Sequence, residues 1–255
     1  MPIDSLRTLF TQTFSQPPLS IKELSASGSN RRYFRMLGKG FTIIGAYNKD
    51  FKENQAFISF SKHFHAQGFA VPEVLAEDAN NYIYLLSDLG DETLYSYRCK
   101  FNEFTSELIQ TYKEALKNLL TFQTRGSQGL DYSLCYPRNA FDRQSIYWDL
   151  NYFKYYFLKL AHISFDEQLL ENDFELFTNF LLEAEADFFL FRDFQSRNIM
   201  LHDNKLFFID YQGGRKGALP YDVASLLYDG KAAIPQNIRE ELLEYYIQQL
   251  THAKV

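Results

Sequence analysis

The sequence predicts an α+β protein in two unequal parts, a small sheet-rich part followed by a larger helical one. Three observations carry this. From about residue 20 to residue 92, short runs of strand-like residues alternate with small, turn-forming ones. Beyond residue 92, apolar residues recur at helical spacing over long segments. The chain of 255 residues is 46% hydrophobic and 23% charged, a globular composition with room for a large core in one big domain or two smaller ones.

The elements follow in chain order. Ile21 to Ser25 is a first short strand, and Ser25 to Asn30 (SASGSN) is a turn-rich link. Arg31 to Leu37 alternates, with Tyr33 and Arg35 on one side and Phe34 and Met36 on the other. Gly38-Lys39-Gly40 turns the chain into a third strand, Phe41 to Tyr47 (FTIIGAY). Ala56, Phe57, Phe60 and Phe64 mark a helix over Lys52 to Gln67, which Gly68 ends. Val71 to Ala76 and Tyr82 to Leu86 complete a five-stranded sheet with one helix. Helices follow at Phe104 to Phe122, Ile146 to Ala161 and Phe174 to Ala184, then a strand-rich island at 188–212 and helices near 222–229 and 236–252. The hinge between the two parts falls at Ser87 to Asp91.

Composition removes several classes of function. With 26 basic and 32 acidic residues the net charge is -6, the wrong sign for a general nucleic-acid or anionic-membrane binder. Cys99 and Cys135 make no disulfide framework and no zinc spacing, and they fit a reducing compartment. The first residues lack a basic n-region and a long apolar stretch, and no apolar run approaches the roughly 18 residues of a membrane helix. The expectation is a soluble cytoplasmic protein with no nucleic-acid or membrane partner. The five histidines are scattered.

The chemistry concentrates in Phe191-Arg192-Asp193-Phe194-Gln195-Ser196-Arg197-Asn198 and its continuation to Asp210. An Asp followed by Asn five residues on carries no weight alone: 16 Asp and 14 Asn among 255 positions yield such a pair about once by chance. Its context adds weight. Ile199 to His202 is a strand, Asp203-Asn204 a turn, and Lys205 to Ile209 a second strand. A two-residue hairpin sets His202 against Lys205, Leu201 against Leu206 and Ile199 against Phe208. Asn198 and Asp210 then meet at the open end, with Asp193 beside them on the incoming loop. Two carboxylates and an amide oxygen converge there, a hard-oxygen site for Mg²⁺ with a spare carboxylate to orient a hydroxyl.

This segment resembles the protein-kinase-like phosphotransferases, whose catalytic loop is H-R-D-x-x-x-x-N followed by a metal-binding Asp after a hairpin. RDFQSRNIM and FIDYQGGRKGALPYDVASLLYD are similar to the aminoglycoside phosphotransferase and choline kinase branch, and most similar to bacterial cell-wall amino-sugar kinases. The resemblance implies a two-lobed fold, with an N-lobe over 1–90 and a C-lobe over 91–255 that reads short at its C-terminal end beside that family. It implies an ATP- and Mg²⁺-dependent kinase acting on a small-molecule hydroxyl, a sugar or amino sugar. Asp193 would orient the acceptor hydroxyl, and Asn198 and Asp210 would hold Mg²⁺ against the phosphates. Ser27, Gly28 and Ser29 would cover the phosphates, the hinge with Asp88 would read adenine, and Asp149 and Arg192 would face the substrate.

The sequence departs from that family in three places. Phe191 stands where the motif has His, and the phosphate loop has a single glycine, Gly28. The third strand contains no lysine; Gly45 or Ala46 falls where the phosphate-anchoring lysine is expected. Arg32 and Arg35 are the candidates to replace it, with Arg31 and Lys49 also in reach, and Glu53 is either the partner acid or a helix N-terminal charge. Asp222 reads as a helix cap that also ties the loop down, and Tyr147, Trp148, Tyr152 and Tyr156 as core or as a sugar-stacking surface. The missing lysine leaves open a second function, a catalytically weak nucleotide-binding module that regulates a partner.

Overall fold

A computed structural model describes residues 2–25 and 31–253. Five antiparallel strands form one sheet in the order β1-β2-β3-β5-β4: β1 (Ser20–Glu23), β2 (Arg32–Leu37), β3 (Thr42–Tyr47), β4 (Val74–Asp78) and β5 (Ile83–Ser87). The expected strand over 71–76 begins later, at Val74, because Pro72 has no N–H to give a ladder. Helix α2 (Phe51–Ala66) starts on Asp50, whose carboxylate accepts from the N–H groups of Lys52 and Glu53. It ends just before Gly68, whose φ of +78° is the left-handed turn that favours glycine.

Strand alternation gives the sheet two buried faces. Phe34, Met36, Ile43 and Leu85 pack under a second helix, α1 (Pro2–Phe14), through Leu6, Leu9 and Phe10. Sequence patterning did not assign this helix, although those three apolar residues have helical spacing. Ala46 and Tyr84 face the other way, toward Phe57 of α2, and the Phe57 and Tyr84 rings stack 5.3 Å apart. Gly45 belongs to the α1 side. A Cβ there would come within 2.9 Å of both Leu6 and Met36.

The helical part holds α3 (Leu94–Arg98), α4 (Ser106–Thr124), α5 (Arg143–Phe153), α6 (Glu167–Leu181), α7 (Pro220–Leu227) and α8 (Gln236–Ala253). Between α6 and α7 lie two small antiparallel pairs: β6 (Phe188–Leu190) with β9 (Arg215–Gly217), and β7 (Ile199–His202) with β8 (Lys205–Phe208). The helix expected over 146–161 is α-helical only to Phe153 and continues as one wider π turn, Lys154–Leu158. The helix expected from Phe174 begins earlier, at Glu167, where Asp166 accepts from the N–H of Leu169.

The abundance of aromatics has two destinations. Phe64, Phe122, Phe189, Phe191, Phe208 and Tyr211 pack edge to face in the core that joins α2, α4 and the hairpin. Other rings are exposed on α5, the π turn and α6, among them Tyr152, Tyr156, Phe157, Phe177 and Phe180. No helix among the described residues is long and apolar enough to cross a membrane.

Candidate active site

The β7–β8 hairpin forms in the register expected from sequence: Ile199 opposite Phe208, Leu201 opposite Leu206, His202 opposite Lys205. The two residues at its tip, Asp203 and Asn204, both have positive φ, as a primed turn requires. The hairpin is tied to its surroundings by main-chain bonds from Phe208 to Ala70 and from Leu201 to Glu92, each within 2.9 Å. Its open end is therefore a fixed platform beneath the sheet.

At that end Asn198 donates its side-chain N–H to the Asp193 carbonyl, 2.9 Å away, and to the Asp210 carboxylate at 3.2 Å. Both amide hydrogens are thus engaged, and its carbonyl oxygen is the atom left to face a cation. Burial pushes the Asp193 carboxyl above its ordinary value, and the neighbouring Asp210 charge adds to the rise. A divalent cation fits this donor set, since it would neutralise two carboxylates that repel each other. Among the described residues no group of three or more His, Cys, Asp or Glu comes together, so the remaining ligands would come from a bound phosphate and water.

The loop carrying Asp193 is held from below. Asp222, fully buried on α7, accepts from the N–H groups of Phe191 at 2.7 Å and Arg192 at 2.9 Å. Its oxygens serve the loop rather than the start of its own helix. Arg192 needs that support, because its φ of +80° is a strained conformation for a side chain with a Cβ. Phe191 is buried against Phe122, Phe194 and Tyr211, so the aromatic that replaces the motif's histidine props the loop by packing. Ser196 is fixed by Asp229, which accepts its hydroxyl at 2.5 Å.

A cavity of about 260 Å³ lies between the sheet and the hairpin. Ser87, Asp88 and Leu89 line it at one end, Asn198 and Asp210 at the other. Arg35 also lines it, but its guanidinium is clamped onto Asp88 at 2.7 Å and Asp91 at 2.9 Å, at the hinge end. Arg32 does not reach the cavity. It lies on the opposite strand face, pairs with Glu23 at 2.6 Å and sits over the Phe34 ring. Lys49 is exposed. Arg31 lies at the Asp210 end instead, 2.9 Å from Glu53. Ser27, Gly28 and Ser29 lie outside the described residues.

Near Asp193, Asp149 of α5 receives Arg192 at 2.9 Å and the Tyr221 hydroxyl at 3.1 Å. Arg215 is buried nearby, donating to the carbonyls of Gly213 and Tyr136; burial and the charge of Arg192 lower its pKa. Asp149 also borders an aromatic hollow of about 350 Å³ with Tyr152, Phe153, Tyr156 and Phe157. Trp148 faces solvent, and Tyr147 is half-buried outside that hollow. Two residues not singled out from sequence join the site. Gln212 donates to Asp210 at 2.7 Å, and Tyr221 closes on Asp149.

The fold is that of the protein-kinase-like phosphotransferases. It is similar to an aminoglycoside phosphotransferase with bound ADP, at 17% identity and a TM-score of 0.65 over 96% of this chain and 82% of that one. It is also similar to a choline kinase from Cryptosporidium parvum, at 14% identity and a TM-score of 0.61 over 91% and 73%. The chain belongs to the phosphotransferase enzyme family, which matches residues 20–254. It is an enzyme, a phosphotransferase with an alcohol group as acceptor. An N-acetylmuramate/N-acetylglucosamine kinase from Pseudomonas aeruginosa is 27% identical over 244 residues, covering 94% of this chain and 68% of the relative.

Proposed function

We propose that the protein transfers the γ-phosphoryl group of ATP, with Mg²⁺, to a hydroxyl of an amino sugar. The observation that carries this is the position of Asp193. Its carboxylate feels the charge of Asp210, which pairs with Asn198, and the charges of Arg192 and Asp149, and Asp149 in turn borders the aromatic hollow. A carboxylate between a phosphate-and-cation end and a sugar-sized recess is placed to take the proton of an attacking hydroxyl. The bond formed is from the sugar oxygen to the γ-phosphorus, the bond broken is that to the leaving ADP, and the proton passes to Asp193. When bound, Mg²⁺ would be held by Asn198 and Asp210 and would neutralise phosphate charge. Ser87, Asp88 and Leu89 seat the adenine end of the cleft.

On the acceptor side, Asp149 is a hydrogen-bond acceptor for sugar hydroxyls, and Arg192 and Tyr221 hold it in place. Tyr152 and Tyr156, stacked 4.5 Å apart, offer ring faces to a pyranose. The relatives from Pseudomonas aeruginosa and Neisseria meningitidis, both N-acetylmuramate/N-acetylglucosamine kinases, support an amino sugar over other alcohols. The N-lobe ends at residue 90 in this reading and the C-lobe runs from 91. Use of ATP supports a cytoplasmic location for the protein.

The test is ADP release with N-acetylglucosamine and N-acetylmuramate. The expected result is turnover by the wild type and a loss of about 10²–10⁴-fold in Asp193→Asn, with ATP binding retained. Intact ATP binding without turnover on either sugar would refute the amino-sugar assignment.

A further inference from the structure

We infer that Arg31 is the cation that anchors the nucleotide's phosphates, and that Glu53 and Gln212 hold it in register with Asp210. The inference rests on the ATP reading above and adds a residue and a linkage to it.

Position comes first. Arg31 precedes β2 and shares strand parity with Tyr33 and Arg35, so it points to the cleft face, whereas Arg32 points away. Its side chain is 2% exposed and lines the same cavity as Asn198 and Asp210. The guanidinium lies 2.9 Å from Glu53, donates to the Tyr33 hydroxyl at 3.1 Å, and sits 5.5 Å over the Phe57 ring. Withdrawing a permanent charge from water is costly, and the nearby tyrosines and the half-buried Glu53 carboxylate help hold it in one geometry.

The other described cations near the cleft lie away from the Asp210 end. Arg35 is held by two carboxylates at the hinge. β3 turns Ala46 toward the cleft and Gly45 toward α1, so the strand offers no charge there. Among the described residues that line the cavity there is no lysine. At the Asp210 end, Arg31 is therefore the lining residue that can meet a polyphosphate with a planar, multi-donor cation.

A chain of polar contacts then ties Arg31 to the chemistry. Glu53 Oε1 faces Arg31 and also accepts from Gln212 Nε2 at 3.4 Å. The same Gln212 nitrogen donates to Asp210 at 2.7 Å, and Asp210 accepts from Asn198. The second Glu53 oxygen accepts from Asn48 at 2.6 Å, which fixes the carboxylate. Phosphates gripped by Arg31 would thus be aligned with Asn198 and Asp210 by α2.

The test separates phosphate binding from adenine binding. Calorimetric titration with MgATP and with adenosine is run on the wild type, Arg31→Met, Arg31→Lys and Arg32→Met. The expected result is an ATP affinity weakened about 10- to 100-fold in Arg31→Met, with adenosine affinity unchanged. Arg31→Lys falls between the two, and Arg32→Met matches the wild type. Arg31→Met binding ATP as the wild type does, or losing ATP and adenosine equally, would overturn the inference. A wild type that binds no ATP refutes the kinase reading itself, which is a distinguishable result.

Discussion

Replacing Asp222 with Asn changes one oxygen for an NH₂ group of nearly the same size, at a fully buried position. The native carboxylate serves two main-chain donors, Phe191 at 2.7 Å and Arg192 at 2.9 Å. An amide has one acceptor oxygen, so one of these N–H groups would face another donor. A buried donor left unpaired costs about 1–3 kcal/mol, and the surviving bond loses its charge assistance, about 1 kcal/mol more. Relief from burying an ion offsets part of that, leaving a net loss of about 1–3 kcal/mol above neutral pH. The strained Arg192, at φ +80°, loses part of its restraint at the same time, so Asp193 moves off its position. The assay is urea unfolding at pH 8 alongside ADP release. The urea midpoint should fall, and kcat should fall more than the KM for ATP rises. Asp222→Asn with the wild-type midpoint and the wild-type kcat would refute the reasoning.

Burial pushes the Asp222 carboxyl up to about 7, from an ordinary value of 3.8. Between those values the folded protein holds a proton that the unfolded chain has released, so this group's contribution to stability declines as pH climbs from 3.8 to about 7. Urea midpoints across that range should show the decline in the wild type and a shallower one in Asp222→Asn. Asp193 is raised partly by the Asp210 charge, so Asp210→Asn should lower the Asp193 pKa, read by carbon NMR of the labelled carboxyl; no change would show that the two groups are not coupled. Asp149→Asn should raise the KM for the sugar and leave that for ATP unchanged in steady-state kinetics. Gly45→Ala should lower the thermal midpoint by the equivalent of about 1–3 kcal/mol, since its new Cβ would crowd Leu6 and Met36 under α1.

Local rules specified most of the architecture. Alternation and turn residues located all five strands, and the Asp203-Asn204 turn fixed the hairpin register and with it the meeting of Asn198 and Asp210. Where expectation and structure part, the missing information is mostly long-range. The Arg32 assignment placed it with Arg35, yet residues 32 and 35 differ in parity and cannot share a strand face. Parity alone would have grouped Arg31 with Tyr33 and Arg35. That Gly45 faces α1 while Ala46 faces the cleft depends on pairing with β2 and β5, which no single strand encodes. Gln212 gave no signal, because its part depends on α2 bringing Glu53 within reach. Asp222 reads in sequence as a helix cap that also ties the loop down; the tie is there, to Phe191 thirty-one residues upstream, but the cap bond to its own helix is not, and only the chain path settles which donors its oxygens meet.

A guanidinium instead of an amine beside the phosphates, as inferred for Arg31, would also alter how the protein responds to reactive chemistry. An acylating nucleotide analogue needs a nucleophilic amine beside its phosphates. The described residues lining this cleft include Arg31 and Arg35 and no lysine, and a guanidinium is too basic to act as a nucleophile at neutral pH. The cleft would therefore escape amine-directed labelling even with nucleotide bound. Reversible ligands that present a planar anion to a fixed pair of N–H donors suit it better than electrophiles built for lysine.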